Sequence, residues 1–527
     1  MNKEEAKSLI DDFVEDRKRR YSKDKNLDLE RDYNIEDSHK RGYHGRELLE
    51  LLQNVDDAVE SLYKNHKSLK PETVNAEISF INGTLCVSNN GTTFNEDTII
   101  RLFVGDASSK DDSYIGKKGT GFRSVLNWAE RIRIYSGDFS IQFSEAKAAE
   151  IFSELQKNNN YVCELAKSKP DLRYPIFSAP EWIPYKNTGF DTTIEIDVNE
   201  ELNKDSYSVA EQIKELDENI LLFLPNITQI NIKTNDFHKV IRKENVEGNN
   251  NLIKIIKEEN KNQIESIYYY FSNEGNEPLI EDIRDYKNIK KIKLAVAIPE
   301  EYKEQKYLYS YFPIKNTKSP FPALLNATFD LDSHRDSIPV NTTNTNVLAE
   351  LIKFYVTTVV TYFTKAEFGD YALRLLIPDN FIDSDSWKFN NSIEKLDCEQ
   401  IYLDSIKSAR IFCTVNNEFI SSNDDPLYLD KKFPECFKGK YFSHLIRFTE
   451  AYDNTNVANF VSCLCHSLMS SNNLLEAINK SDFTIKQRIE TFDWWLRHYS
   501  QSKLLPNLIR CNRKDSQWVS YDTMCME

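Results

Sequence analysis

A chain of 527 residues has room for about three domains at ~150 residues each, and it can bury a core that needs no disulfide or metal to hold it. Its 67 Lys and Arg against 83 Asp and Glu give a formal charge of −16, and a surface that acidic repels nucleic acid and anionic membrane, which argues against direct nucleic-acid binding. Nine cysteines without a regular framework, a charged amphipathic start (residues 1–16) unlike a signal peptide, and no run approaching ~18 uninterrupted apolar residues together predict a cytoplasmic protein with no membrane span.

Ala6, Leu9, Ile10, Phe13 and Val14 form a helical stripe over residues 3–20, ending in Arg17-Lys18-Arg19-Arg20, which reads as a solvated helix end. A second helix runs from Arg46 to Tyr63, with leucine and valine on most faces. Two strand-like segments, Ala76 to Ile81 and Thr84 to Ser88, flank Asn82-Gly83, a hairpin signal. A loop from Gly105 to Gly121 leads into a helix at Phe122 to Ala129. Strands follow at Arg131 to Tyr135, Phe139 to Phe143 and Thr192 to Val198. The order helix, hairpin, loop, helix, antiparallel strands predicts an α+β sandwich with helices on one face of a mixed sheet. Ser206 to Phe223 reads as one helix closing this first domain.

A second α/β unit carries strands at Ile227 to Ile232, Ser266 to Phe271, Lys291 to Ile298, Tyr307 to Pro313 and Leu324 to Phe329. A core helix, Val347 to Phe363, ends it. Beyond residue 366 the pattern is mainly helical. The expected domains are therefore 1–205, 206–365 and 366–527, the last a scaffold or interaction region.

Three segments of the first domain carry chemistry. In Glu50-Leu-Leu-Gln-Asn54-Val-Asp-Asp57-Ala58, positions i, i+4 and i+7 of a helix share a face, so Glu50, Asn54 and Asp57 project together. Such a face lets Glu50 take a proton from an attacking water and Asn54 offer its amide oxygen to magnesium. An ordinary amphipathic helix has the same pattern, so this segment alone does not decide. Asn89-Asn90-Gly91 follows a strand, where glycine permits close backbone approach; alone it is only a turn. Ile115-Gly116-Lys-Lys118-Gly119-Thr120-Gly121-Phe122 opens a helix with bare backbone amides suited to phosphate oxygens, and Lys110, Lys117 and Lys118 add positive charge. It is neither a dinucleotide-binding fingerprint nor a Walker loop.

In this order and spacing the three segments resemble the GHKL (Bergerat-fold) ATPases, which include the ninety-kilodalton heat-shock chaperones, DNA gyrase B, histidine kinases and MutL. The wording of these segments, with "ENILLFLPNI" further on, is similar to the sacsin and NO VEIN branch. The resemblance covers about residues 40–230 in detail and reaches 345 more loosely. It implies that Glu50, Asn54, Asp57 and Ala58 form the superfamily's N box. Asn89 and Gly91 stand at its adenine motif, and Gly116, Gly119 and Gly121 end the ATP lid. Thr192 faces the adenine and its water. The family's adenine aspartate is Asn89 here; an amide oxygen also accepts a hydrogen bond, but the amide brings donors, so adenine selectivity is open.

Asn326-Ala-Thr-Phe329 with Ser333-His-Arg335 resembles the second-domain segment of sacsin-like proteins, which makes Arg335 the candidate γ-phosphate contact; a structural arginine is the competing reading. The implied activity is slow, magnesium-dependent ATP hydrolysis that times a conformational change, in a chaperone-like or prokaryotic anti-phage defence role. A protein partner or client and a nucleotide-dependent homodimer go with it. The alternatives are a nucleotide-gated interaction module with little turnover and a MutL-like DNA-transaction ATPase. Cys463-Leu-Cys465-His466 lacks a second zinc-like pair and reads as core cysteines.

Overall fold

The computed structural model describes residues 2–25, 27–42, 45–65, 75–104, 121–204, 207–274, 292–300, 307–332, 335–365, 368, 371–379, 381, 388–389, 391–429, 431–448, 455–465, 467–502, 505–507, 509–510 and 518–519. The chain divides into two compact units. One comprises residues 1–302, 309–316 and 326–339, and the other residues 303–308, 317–325 and 340–527.

The first unit is α+β. Its helices are α1 (Lys3–Tyr21), α2 (Asp28–Gly42), α3 (Glu47–Asn65), α4 (Glu96–Val104), α5 (Glu145–Asn158), α6 (Asn160–Ser168), α7 (Val209–Lys214) and α8 (Ile220–Phe223). Its strands are β1 (Asn75–Ile81), β2 (Thr84–Asn89), β3 (Ala129–Ser136), β4 (Phe139–Ser144), β5 (Glu181–Trp182), β6 (Thr192–Val198), β7 (Gln229–Thr234), β8 (His238–Asn245), β9 (Leu252–Glu259), β10 (Asn262–Glu274) and β11 (Lys293–Pro299). They lie side by side in the order β5-β4-β3-β6-β2-β1-β7-β8-β9-β10-β11. The sheet is mixed: β1 runs parallel to β7, and the remaining joins of this series are antiparallel. Three further strands, β12 (Tyr307–Ser310), β13 (Phe312–Lys318) and β14 (Leu324–Ala327), have residues in both units.

Leu48, Leu51, Leu52, Val55 and Val59 bury one stripe of α3. Each such side chain contributes about 1.5–3 kcal/mol by leaving water. That burial fixes the helix's rotation and so decides where its polar face points. Asn82 and Gly83 take positive φ (51° and 79°) in the turn between β1 and β2, as their sequence predicts.

Several elements differ from expectation. Residues 206–223 do not form one helix. Between α7 and α8 the Asp217 carboxylate accepts from the Asn219 backbone N–H (2.9 Å) and the Tyr309 hydroxyl (2.5 Å), which ends the first turn and starts the second. The expected helix after Gly121 is a 3-10 segment, Gly121–Asn127, in which the Ser124 hydroxyl donates to the Gly121 carbonyl (2.7 Å). Arg17 is not a solvated helix end. It is buried and pairs with Asp32 of α2 (2.9 Å), while Lys18, Arg19 and Arg20 pair with Glu15 and Asp16 on their own helix.

The second unit is helical apart from short strand pairs: α9 (Thr342–Phe363), α10 (Tyr371–Leu376), α11 (Glu399–Ser408), α12 (Thr455–Leu464), α13 (Ser471–Lys480) and α14 (Ile485–His498). Phe321 stacks on Tyr355 of α9 (4.6 Å), and the hydroxyls of Tyr355 and Tyr402 donate to the Leu375 and Leu376 carbonyls (2.6 and 2.5 Å). A second core gathers Phe437, Phe442, Phe483, Trp494 and Trp495. Cys465 is a buried free thiol and Cys463 is half-buried, as core cysteines would be; His466 lies outside the described residues. No helix among the described residues is long and apolar enough to cross a membrane.

Candidate functional site

Helix α3 organises the site. Its amphipathic period turns Glu50 and Asp57 into the interior, both 3 % exposed, with Asn54 half-buried one turn after Glu50. A carboxylate buried that deeply needs a partner. Glu50 Oε1 receives Arg335 Nη1 at 2.9 Å, and the same Nη1 donates to Gln53 Oε1 at 2.8 Å. Arg335 holds a left-handed backbone (φ 55°), a conformation a non-glycine residue keeps only when its surroundings fix it. Arg46 supplies that restraint by donating Nη1 to the Arg335 carbonyl (2.9 Å). Burial holds Arg46 below the ordinary guanidinium pKa, against the pull of Glu50, and its Nε has no hydrogen-bond partner among the described residues.

Gly121 lies against the other side of Glu50. A Cβ there would fall 1.9 Å from Glu50 Oε2 and 2.6 Å from its Cδ, so the contact exists only because this residue has no side chain. Two residues on, Arg123 is buried. It pairs with Glu36 of α2 (3.2 Å) and donates Nη2 to the Leu102 and Phe103 carbonyls at the end of α4 (3.0 Å each). Glu36 also accepts from the Ile176 and Phe177 backbone N–H groups (2.7 and 3.0 Å), and burial pushes its pKa up against those donors and Arg123. Phe122 is half-buried, its ring edge-on to Phe177 (5.7 Å).

At the far end of α3, Gly91 touches the helix itself: a Cβ there would lie 2.8 Å from the Ala58 carbonyl carbon and Cβ. The Thr92 N–H donates to the Ala58 carbonyl (2.9 Å), and the Gly91 N–H to Asn89 Oδ1 (2.9 Å). Asn89 is 4 % exposed and sits opposite Thr192 in the β2–β6 register. The Thr192 hydroxyl pairs with that of Ser136 (2.7 Å), which also accepts from the Phe94 N–H (2.8 Å). The turn named in the sequence is therefore bolted to the same helix as Glu50.

Glu50, Asn54, Asp57, Asn89, Gly91, Gly121, Phe122, Thr192 and Arg335 thus all belong to one unit. Of these, Glu50, Gly121 and Arg335 meet, and Asn89 with Gly91 meets Thr192 and Ala58. Lys110, Gly116, Lys117, Lys118, Gly119 and Thr120, with Ser333 and His334, lie outside the described residues.

Sequence reading missed Arg46, Gln53, Arg123 and Glu36, all buried and polar. It also missed Asp56, which accepts from the Asn226 and Ile227 N–H groups (3.0 and 3.1 Å) and from Asn226 Nδ2 (2.9 Å). The adjacent acidic pair Asp56-Asp57 was the available signal: neighbours on a helix face different ways, so one of the two had to find donors elsewhere.

No protein-family model matches the chain, and no curated protein matches its sequence.

Proposed function

We propose that this chain is a GHKL-type ATPase of the sacsin-like kind, which binds ATP along α3 and hydrolyses it slowly as the conformational switch of a larger machine. One observation carries the reading. Glu50, with Arg335 and Gly121, and the Asn89–Gly91 turn seated on Ala58 are fixed to one helix eight residues apart, about 12 Å at 1.5 Å per residue. An extended nucleoside triphosphate spans such a distance, with its base at Asn89, Gly91 and Thr192 and its γ-phosphate at Glu50.

The chemistry follows from the pairings. Glu50 is held by Arg335. A γ-phosphate competes for the same guanidinium, whose permanent charge and forked donors suit phosphate oxygens. Glu50, released, takes the proton of the attacking water as its oxygen bonds to the γ-phosphorus. The bond to the ADP oxygen breaks, and phosphate departs. Magnesium fits the residues present. Asn54 is half-buried, its amide is engaged by no described residue, and it lies one turn from Glu50. Among the described residues no cluster of three His, Cys, Asp or Glu offers a protein cage, so the ion would be held largely by phosphates and water. Its part is to neutralise phosphate charge.

The domain arrangement of the superfamily, a protein client, a nucleotide-dependent homodimer and a chaperone-like or anti-phage role belong to this proposal. The Glu50–Arg335 pair also favours a second reading, a nucleotide-gated interaction module in which the base is seldom released and turnover is small. The acidic charge of −16 argues against a MutL-like DNA transaction.

The test is magnesium-dependent ATP hydrolysis with calorimetric binding. Glu50→Ala should bind ATP and lose turnover at least ~100-fold. Asn54→Ala should lose the magnesium dependence of binding. A Glu50→Ala protein that turns over like wild type would sink the catalytic assignment.

A further inference from the structure

We propose that Arg46 is the second cation of this site, a positioning residue that takes over the Glu50 carboxylate when Arg335 turns from it to the γ-phosphate. The proposal rests on the nucleotide reading above and names what governs the base in it.

Arg46 is a buried charge without a counter-charge in contact. It is 3 % exposed, and among the described residues no carboxylate lies within ion-pairing distance of its guanidinium. Its side chain meets carbonyls instead: Nη1 donates to the Arg335 carbonyl (2.9 Å) and, at the limit of a hydrogen bond, to that of Pro313 (3.5 Å). Its Nε is buried with no partner among the described residues. An uncompensated guanidinium is costly to keep in a protein interior. A neutral amide would hold the same carbonyls without that cost, so pinning the backbone does not account for the charge.

The charge bears on Glu50. Arg46 stands one turn before it on the same helix, and the Glu50 N–H donates to the Arg46 carbonyl (3.0 Å), a spacing that makes the two side chains neighbours. Of the carboxylates that attract Arg46, Glu50 acts most strongly, ahead of Asp336 and Asp332, while Arg335 repels it. The Asp332 oxygens already accept from the Asp336 N–H and the Ser337 hydroxyl (3.0 and 2.8 Å). Two guanidiniums therefore serve one carboxylate, and Arg335 holds it at 2.9 Å.

The second is needed once the first departs. Glu50 has its side chain 4 % exposed and Gly121 against it, so it stays buried when Arg335 leaves. A buried carboxylate with no cation takes up a proton and can then accept none from water. Arg46 keeps it ionised. The exchange is coupled, because Arg46 Nη1 is tied to the carbonyl of Arg335 itself: a shift that carries Arg335 away frees Nη1 and removes the repulsion together.

A melting cycle on the full chain tests the exchange with no nucleotide added. Arg46→Met in wild type removes an unpaired charge with two carbonyl contacts and should shift the melting temperature by no more than about 2 °C. In an Arg335→Ala background Arg46 is the cation left to Glu50, and the same substitution should cost about 4 °C or more beyond that. Arg46→Lys, which keeps the charge, should melt close to its parent in both backgrounds. In turnover, Arg46→Met should lower kcat at least ~10-fold with little change in KM for ATP, and Arg46→Lys should recover most of the loss. Additive melting losses, or an Arg46→Lys protein as slow as Arg46→Met, would overturn the proposal and leave the nucleotide site standing. Failure of wild type to bind or hydrolyse ATP would overturn both.

Discussion

Removing Arg335 should unsettle the protein before any nucleotide is added. In Arg335→Ala, Glu50 keeps its burial, with its side chain 4 % exposed, and loses the guanidinium 2.9 Å away. Breaking a fully buried ion pair from one side costs about 3–5 kcal/mol. Here the Arg335 side chain retains 16 % exposure, and Arg46 stands close enough to act on Glu50, so the cost falls just below that scale, at about 2–3 kcal/mol. At ~2 °C per kcal/mol for a unit of this size, the melting temperature should fall by about 4–6 °C. The double variant Glu50→Gln with Arg335→Ala leaves no unpaired charge and should recover most of that loss. Differential scanning calorimetry of wild type, both single variants and the double decides it. An Arg335→Ala melting temperature within 1 °C of wild type, or a double variant no more stable than the single, would refute the view that the pair is a coupled, buried interaction.

Gly121→Ala drives a methyl group into the Glu50 carboxylate, at 1.9 Å from Oε2. Turnover should fall at least ~10-fold, with melting lowered by an overpacking cost of ~1–3 kcal/mol, and Gly121→Ala should cost little further melting temperature in a Glu50→Ala background, where the clash is gone; fully additive losses contradict the contact. Asp56 gives a pH signature: burial pushes it up to about 6 from 3.8, outweighing its Asn226 and Ile227 donors, with Asp57 adding to the rise. Because the folded value lies above the unfolded one, its stabilising contribution is complete below pH 3.8 and is lost as pH rises through about 6, by roughly 3 kcal/mol at 1.36 per unit. Asp56→Asn should flatten the urea midpoint between pH 4 and 6, and an unaltered slope there would count against it.

The residues that sequence made legible are those whose chemistry repeats at a local period. Glu50, Asn54 and Asp57 stand out because leucines fill the rest of their helix, and Asn82-Gly83 announces its own turn. What stayed hidden is polar and buried across long separations. Arg123 and Glu36 are 87 residues apart, Asp56 and Asn226 170, and each member alone looks like a surface residue. Helix α2 buries Leu29 and Glu36 among charged neighbours, and so lacks an apolar stripe to read. Helix α5 was readable and absent from the expectation: Ser144 caps the Lys147 N–H (3.2 Å) ahead of an alanine-rich run. The break between α7 and α8 depends on Tyr309, far along the chain, meeting Asp217. Local propensity cannot encode such a contact.

Arg123 ties these threads to the candidate chemistry. Its guanidinium holds the end of α4 and α2 at once, and its backbone lies two residues from the glycine that rests on Glu50. The 3-10 turn between them is short, and the Ser124 hydroxyl pins it to the Gly121 carbonyl, so displacement at Arg123 is passed to Gly121 with little slack. Arg123→Lys keeps the charge but replaces a planar fork by one ammonium that cannot reach the carboxylate and both carbonyls with the same geometry. At least one of three charge-assisted bonds is lost, about 1.5–3 kcal/mol by the usual worth of such a bond. If Gly121 fixes Glu50, kcat should fall more than the affinity for nucleotide does, because the Asn89–Gly91 end of α3 is not disturbed. Equal losses in kcat and binding, or a loss of stability with kcat intact, would mean that Arg123 supports the fold alone and that Glu50 keeps its place without help from the glycine.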